Sequence, residues 1–100
     1  MSQLTLSSRL ENYTLRHPDE VLLVQAQIES EADQVVIFWG GSRAIMRPSA
    51  FDPFVPVLPD AAVIEKIDRL KGPYLPDAPE YLEEDISLRD FVTRLNGLGL

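Results

Sequence analysis

Residues 21–46 restrict the fold more than any other part of the chain. They read VLLVQAQIESEADQVVIFWGGSRAIM and hold most of the bulky apolar side chains a core needs. From Val21 the pattern has period two, with Leu22, Val24, Ala26 and Ile28 on one side and Leu23, Gln25, Gln27 and Glu29 on the other. Strand side chains point alternately to opposite faces, so this pattern predicts a half-buried strand. The polar run Ser30-Glu31-Ala32-Asp33 predicts a four-residue turn, and the β-branched and aromatic residues 34–39 predict a central strand. Gly40-Gly41 permits the positive φ angles of a tight hairpin turn, which returns the chain through residues 42–47. The alternative is a bulge at the glycine pair within one long strand.

These loops imply a register that its own side chains can test. Ile28 would face Val35, Ala26 would face Ile37, and Val24 would face Trp39, while Ile37 would face Ala44 and Val35 would face Met46. The expected core is then Val24, Ala26, Ile28, Val35, Ile37, Trp39, Ala44 and Met46. The reverse face carries Leu23, Gln25, Gln27, Val36, Phe38, Arg43, Ile45 and Arg47, an apolar strip edged by amides and guanidinium groups. A slip of one residue in either hairpin would mix the two sets, so the clean partition favours this register.

The flanking segments predict helices and an extended connection. Residues 7–16 place Leu10, Tyr13 and Leu15 among polar residues behind Ser7 or Ser8 as N-cap, and His17-Pro18-Asp19 stops that helix. Residues 48–59 contain four prolines, which excludes a helix or a central strand. The segment is nevertheless apolar enough to lie across the sheet or along its edge, with residues 54–57 offering a fourth strand. Asp60 predicts a cap for a helix over 61–71, with Val63, Ile64, Ile67 and Leu70 on one stripe and Gly72-Pro73 as its stop. Residues 74–85 read as an acidic loop anchored by Tyr74, Leu75, Tyr81 and Leu82. Ser87, with Asp90 three residues on, opens a last helix through Leu88, Phe91, Val92 and Leu95 to Asn96-Gly97, beyond which the end should fray. The fold class expected is α+β: an antiparallel three- to four-stranded meander with two or three short helices packed on it, in a single domain spanning 1–100.

Composition narrows the function classes. A chain of 100 residues is large enough to bury a core without staples. With no cysteine, thiolate chemistry and disulfides are excluded, which fits a reducing, cytoplasmic setting. No apolar run reaches membrane-span length, and the first residues lack the features of a signal peptide, so no membrane association is expected. The net charge of -7 opposes a phosphate backbone, because nucleic-acid affinity comes largely from Lys and Arg releasing counterions.

No stretch dictates a catalytic chemistry. His17, the only histidine, precedes a proline in a turn, where a structural role outweighs acid-base work. An enzyme would need carboxylates such as Asp52 and Asp60 to meet in a pocket. The acidic run of Glu80, Glu83 and Glu84 lacks the alternating oxygen ligands and the glycine of a calcium loop, and is better suited to contact a basic partner. Phe38, Arg43 and Arg47 with Gln25 and Gln27 invite comparison with sheet surfaces that stack single-stranded RNA, but those present two or three aromatics and this face offers one.

One resemblance extends over most of the chain from Glu20. The strand pair EVLLV and QVVIFWG, the Arg47-Pro48-Ser49 turn, Val55-Pro56-Val57-Leu58-Pro59, the run Ile67-Asp68-Arg69-Leu70-Lys71-Gly72-Pro73, and Glu80-Tyr81-Leu82-Glu83 ahead of the last helix resemble a small uncharacterised family of cyanobacterial proteins with counterparts in plant plastids. The resemblance implies origin and compartment and brings no activity. The expected function is therefore a non-catalytic protein-interaction module with an unidentified protein partner and no cofactor or metal, the alternative being single-stranded nucleic-acid binding through the sheet face. The candidate interaction surface comprises Gln25, Gln27, Phe38, Arg43, Arg47, Glu80, Glu83 and Glu84. The exposed edges of a three-stranded sheet would be covered by the proline segment or by a second copy in a homodimer.

Overall fold

Residues Glu20–Ile28 form β1, the central strand of one antiparallel sheet. The computed structural model describes residues 5–28, 30–45, 58, 62–75 and 77–100. In chain order these form α1 (Leu6–Arg16), β1, β2 (Glu31–Phe38), β3 (Gly41–Ala44), β4 (Val63–Lys71), β5 (Tyr81–Ile86) and α2 (Leu88–Gly97). The sheet order is β3-β2-β1-β4-β5. The α+β class with an antiparallel sheet holds, but the described residues form five strands in that sheet and two helices.

The first hairpin is tighter than its polar residues suggested. Ile28 pairs with Glu31, Ala26 with Asp33, Val24 with Val35 and Leu22 with Ile37. Ser30 takes a φ of 68° in the turn. Backbone pairing does not require apolar side chains, so the ladder extends through Glu31 and Ala32, both of which stay exposed. The second hairpin closes with Phe38 opposite Gly41, and Trp39 and Gly40 occupy the turn at φ 50° and 78°. Two consecutive positive φ angles match the twist of flanking strands, the usual two-residue hairpin solution. Relative to the expected registers, the first hairpin has shifted by four residues and the second by two. Even shifts leave every side chain on its face.

The expected core is therefore correct in its strand residues and wrong at the turn. Val24, Ala26, Ile28, Val35 and Ile37 are buried, together with Leu22. Trp39 belongs to the turn and is 71% exposed, Ala44 is half-buried, and Met46 lies outside the described residues.

The helix expected over 61–71 is a strand. β4 pairs with β1 from Lys71 opposite Glu20 to Val63 opposite Gln27. Gln25 pairs with Lys66 and Ala26 with Ile64, which leaves Glu65 as the extra residue of a bulge. That insertion puts Ile64 and Ile67, three apart in sequence, on the same core side and imitates the spacing of a helical stripe. The competing force is β1 itself, whose second edge would otherwise leave its backbone groups unpaired in a buried setting. Asp60, the expected cap, and the fourth strand expected at 54–57 lie outside the described residues, as does the extended segment at 48–59 apart from Leu58. Leu58 is buried in the helix-side core.

The acidic segment expected as a loop contributes β5, which pairs with β4 through Ile67 opposite Ile86, Arg69 opposite Glu83 and Leu70 opposite Tyr81. Asp85, at φ 57°, marks its irregularity, and its N–H donates to Asp68 Oδ1 at 2.8 Å. Both outer helices form as expected. α1 is capped by Thr5, whose hydroxyl accepts from Ser8 N at 3.1 Å, while Ser7 lies inside the helix. α2 is capped by Ser87, which accepts from Asp90 N at 3.1 Å. Its end does not fray, because Leu100 N donates to the Leu95 carbonyl at 2.9 Å and Arg9 Nε donates to the Leu100 carbonyl at 2.9 Å.

Both helices pack on one side of the sheet. Leu10 and Tyr13 of α1 and Phe91 and Leu95 of α2 share a core with Leu22, Val24, Val35, Ile37, Ile67 and Ile86. The reverse face holds a second cluster of Val21, Leu23, Val36 and Leu70, with Phe38 and Tyr74 packed against it. No helix among the described residues is long and apolar enough to cross a membrane.

Gly40 ties the second hairpin to α1. Its N–H donates to Thr14 Oγ1 at 2.9 Å, and a Cβ there would lie 2.9 Å from Leu15. Gly40→Ala should cost about 1–3 kcal/mol, from the left-handed backbone with the contact added. Gly97→Ala, where a Cβ would meet nothing within 4 Å, should be neutral or stabilise α2 by up to about 1 kcal/mol. Urea midpoints of the two variants measured side by side check this pair, and equal midpoints would contradict it.

Candidate functional site

The helix-free face carries a groove of about 780 Å³, lined by Val21, Val36, Phe38, Trp39, Arg43, Ala44, Ile45, Gly72, Pro73 and Tyr74. Three features of the fold assemble it. Alternation along β1 and β2 turns Val21, Val36 and Phe38 away from the helices. The β2–β3 turn projects Trp39 beside Phe38, their ring centroids 6.0 Å apart at an interplanar angle of 66°. The chain leaving β4 is then fastened to the start of β1 by Gly72 N–H donating to the Asp19 carbonyl at 2.7 Å, which brings Pro73 and Tyr74 alongside. Trp39 is held from its far end, where Nε1 donates to the Pro18 carbonyl at 3.1 Å.

Among the described residues the lining is apolar and aromatic with a single charged group, Arg43. Ligand sites commonly have this character: a hydrophobic surface for affinity and a few polar groups for orientation. Arg43 is exposed and has no hydrogen bond or ion pair among the described residues.

Of the residues expected to form an interaction surface, Phe38 and Arg43 meet in the groove. Gln25 and Gln27 share its face but sit toward the β1–β2 turn, opposite Gln34 and Ala32. At about 3.3 Å per residue, Gln25 lies roughly 13 Å along the strand from Val21. Arg47 lies outside the described residues, as do Asp52 and Asp60. Glu80, Glu83 and Glu84 are at or in β5, the sheet edge opposite β3, and are not among the residues that line the groove. Sequence reasoning missed Tyr74, Pro73 and Trp39 as groove residues. Placing the first two required β4 to be a strand, and Trp39 required the turn to begin one residue earlier.

A family model described as Domain of unknown function (DUF7734) matches residues 7–95. The chain belongs to this family. Comparison with curated proteins gives no match, and neither does comparison with solved structures. The matched span runs from the first turn of α1 to the last turns of α2, so the DUF7734 domain takes in the complete sheet and both packing helices.

On its helix side, the DUF7734 domain contains a continuous chain of polar contacts. Tyr13 Oη donates to Glu20 Oε1 at 2.9 Å, and Arg69 Nε donates to the same oxygen at 2.7 Å. Arg69 Nη1 donates to Glu83 Oε1 at 3.0 Å, and both terminal nitrogens of Arg94 donate to the Glu83 carboxylate. One run of contacts thus links α1, β1, β4, β5 and α2. Burial raises the Tyr13 phenol above its ordinary range, assisted by the Glu20 carboxylate. The Arg94 guanidinium, assisted by Arg69, holds Glu83 down to about 2. His17 stacks on Tyr13 with centroids 4.4 Å apart, and its Nδ1–H donates to the Tyr13 carbonyl at 3.1 Å. Among the described residues, no buried side-chain nitrogen or oxygen lacks a partner, and the network clamps the five elements to one another.

A carboxylate whose folded pKa is depressed contributes stability that is complete above its unfolded value, about 4.3 for Glu, and is lost as the pH falls through its folded value. Stability of the wild-type domain should therefore decline between about pH 4.3 and about 2 through Glu83. Glu83→Gln should be less stable than wild type at pH 7, with the difference shrinking across that window. Urea titrations at pH 7, 4 and 2.5 measure this, and a pH-independent difference would rule out the clamp as its source.

Proposed function

We propose that this chain is a non-catalytic protein-interaction module that receives its partner on the helix-free face of the sheet. The observation that carries this reading is the apolar groove around the exposed Trp39, with Arg43 as the only charged residue among those described in its lining. Interface anchors are enriched in Trp, Tyr and Arg, and this groove gathers one of each together with Phe38. The polar network on the opposite side has its groups committed to one another, which supports a structural role there. The chain is read as a single domain over 1–100, because every described strand joins one sheet. The origin suggested by its motifs is cyanobacterial or plastid-related and its expected compartment cytoplasmic; fractionation of native cells with an antibody against the chain tests that placement.

Single-stranded nucleic acid is the second reading, favoured by the proximity of Phe38, Trp39 and Arg43. The net charge of -7 weighs against it, and one arginine releases few counterions. The two readings separate in titrations with labelled single-stranded RNA at low and high salt. The interaction reading expects no binding at micromolar protein in either buffer, whereas salt-sensitive binding would favour the rival.

Trp39→Ala should weaken partner binding by about 30-fold or more, the loss usual for a central aromatic anchor. Because Trp39 is largely exposed, the urea midpoint should move little. Quantitative capture from native extract, comparing wild type with this variant, reads the effect. Recovery of no stoichiometric partner, with a monodisperse monomer in light scattering, would eliminate both a foreign partner and a homodimer.

A further inference from the structure

We infer that the partner enters as an extended strand added to the outer edge of β3, with a carboxylate on Arg43 and bulky apolar side chains in the groove. This rests on the interaction reading above and gives that partner a chemistry. Among the described residues, β3 is the outermost strand on its side, and the groove's wall there consists of Arg43, Ala44 and Ile45. Ile45 N–H donates to the Gln34 carbonyl at 2.9 Å, so the 34/45 pair is of the hydrogen-bonded kind. Val36/Arg43 and Phe38/Gly41 share its parity. Antiparallel pairs alternate between bonded and non-bonded, so the intervening residues Ser42 and Ala44 direct their N–H and C=O groups away from β2, toward the edge on which no described strand lies. A strand pairing there has main-chain partners, and every second side chain falls on the groove face.

Charge selects which strand. Among the described basic side chains, Arg9, Arg16, Lys66, Arg69, Lys71 and Arg94 each have a hydrogen bond or ion pair. Arg43 and Arg89 have none, and Arg43 is the one that lines the groove. In a chain of net charge -7, an unpaired guanidinium beside an apolar groove complements a carboxylate and repels a cation. The facing residue on an added strand is the cross-strand neighbour of Arg43, and its own neighbours on that face lie two positions away. The recognised segment is thus apolar-x-acidic-x-apolar. On the other face it meets Ser42, whose hydroxyl donates to Glu11 Oε2 at 2.8 Å, so the intervening positions take small or polar residues.

A displayed library of random peptides, selected against the full chain and counter-selected against Arg43→Glu, tests this. Selection should enrich apolar-x-(Asp/Glu)-x-apolar sequences. A synthetic peptide from that pool should shift the emission of Trp39, the only tryptophan, and bind Arg43→Glu at least about tenfold more weakly. Exchanging its acidic residue for Lys should restore binding to that variant, and N-methylation of its central backbone should abolish binding to wild type. Equal urea midpoints for the two proteins exclude misfolding as the cause. Enrichment of another chemistry, or affinity indifferent to Arg43→Glu, would overturn the strand inference while leaving the interaction module standing. Absence of any enriched peptide, while a native partner is still captured through Trp39, would likewise overturn the inference alone. Absence of both would remove the module as well.

Discussion

β1 pairs with β2 along one edge and with β4 along the other, and both of its faces are buried from Glu20 to Val24. Those pairings account for the arrangement of the remaining elements. A strand covered on both faces cannot leave its N–H and C=O groups unbonded without a large desolvation cost, so each edge demands a partner of matching length. β2 follows directly through a tight turn. The second partner comes from residues 63–71, although their local pattern favours a helix, and β5 then extends the sheet to its far edge.

The two faces of that sheet have different jobs. The helix side carries the large core and the run of contacts from Tyr13 through Glu20, Arg69 and Glu83 to Arg94. The two arginines and two carboxylates alternate along this run, and partners taken from five elements restrict how each helix can slide on the sheet. The reverse side has a smaller apolar cluster and a groove in which Arg43 has no partner among the described residues. A network of matched charges on one side and, among the described residues, an Arg43 without a partner on the other set the groove apart.

Placement at an edge gives the groove its character. β3 has only four residues, and short outer strands limit indiscriminate pairing while still presenting a few backbone groups. The turn that ends β2 supplies Trp39, and the chain beyond β4 supplies Pro73 and Tyr74. Residues far apart in sequence therefore meet because β4 lies next to β1, and the acidic residues of β5 are held at the opposite edge.

Local chemistry was enough to read both outer helices, the Ser87 cap, and the alternation that divides β1 and β2 into two faces. The division persisted when both hairpins proved tighter than expected, since shifts of four and two residues preserve side-chain parity. Phe38 and Arg43 of the groove were legible for the same reason. What sequence pattern alone could not decide was the fate of residues 63–71 and 81–86. A bulge at Glu65 inserts one residue between Ile64 and Ile67 and gives a strand the spacing of a helix, while Glu83 and Asp85 of β5 are matched by Lys66, Arg69 and Arg94 from elsewhere in the fold. Both outcomes depend on partners distant in the chain. Periodicity determined which side chains travel together, and tertiary pairing decided which backbone they travel on, because β1 had a second edge that only a strand could satisfy.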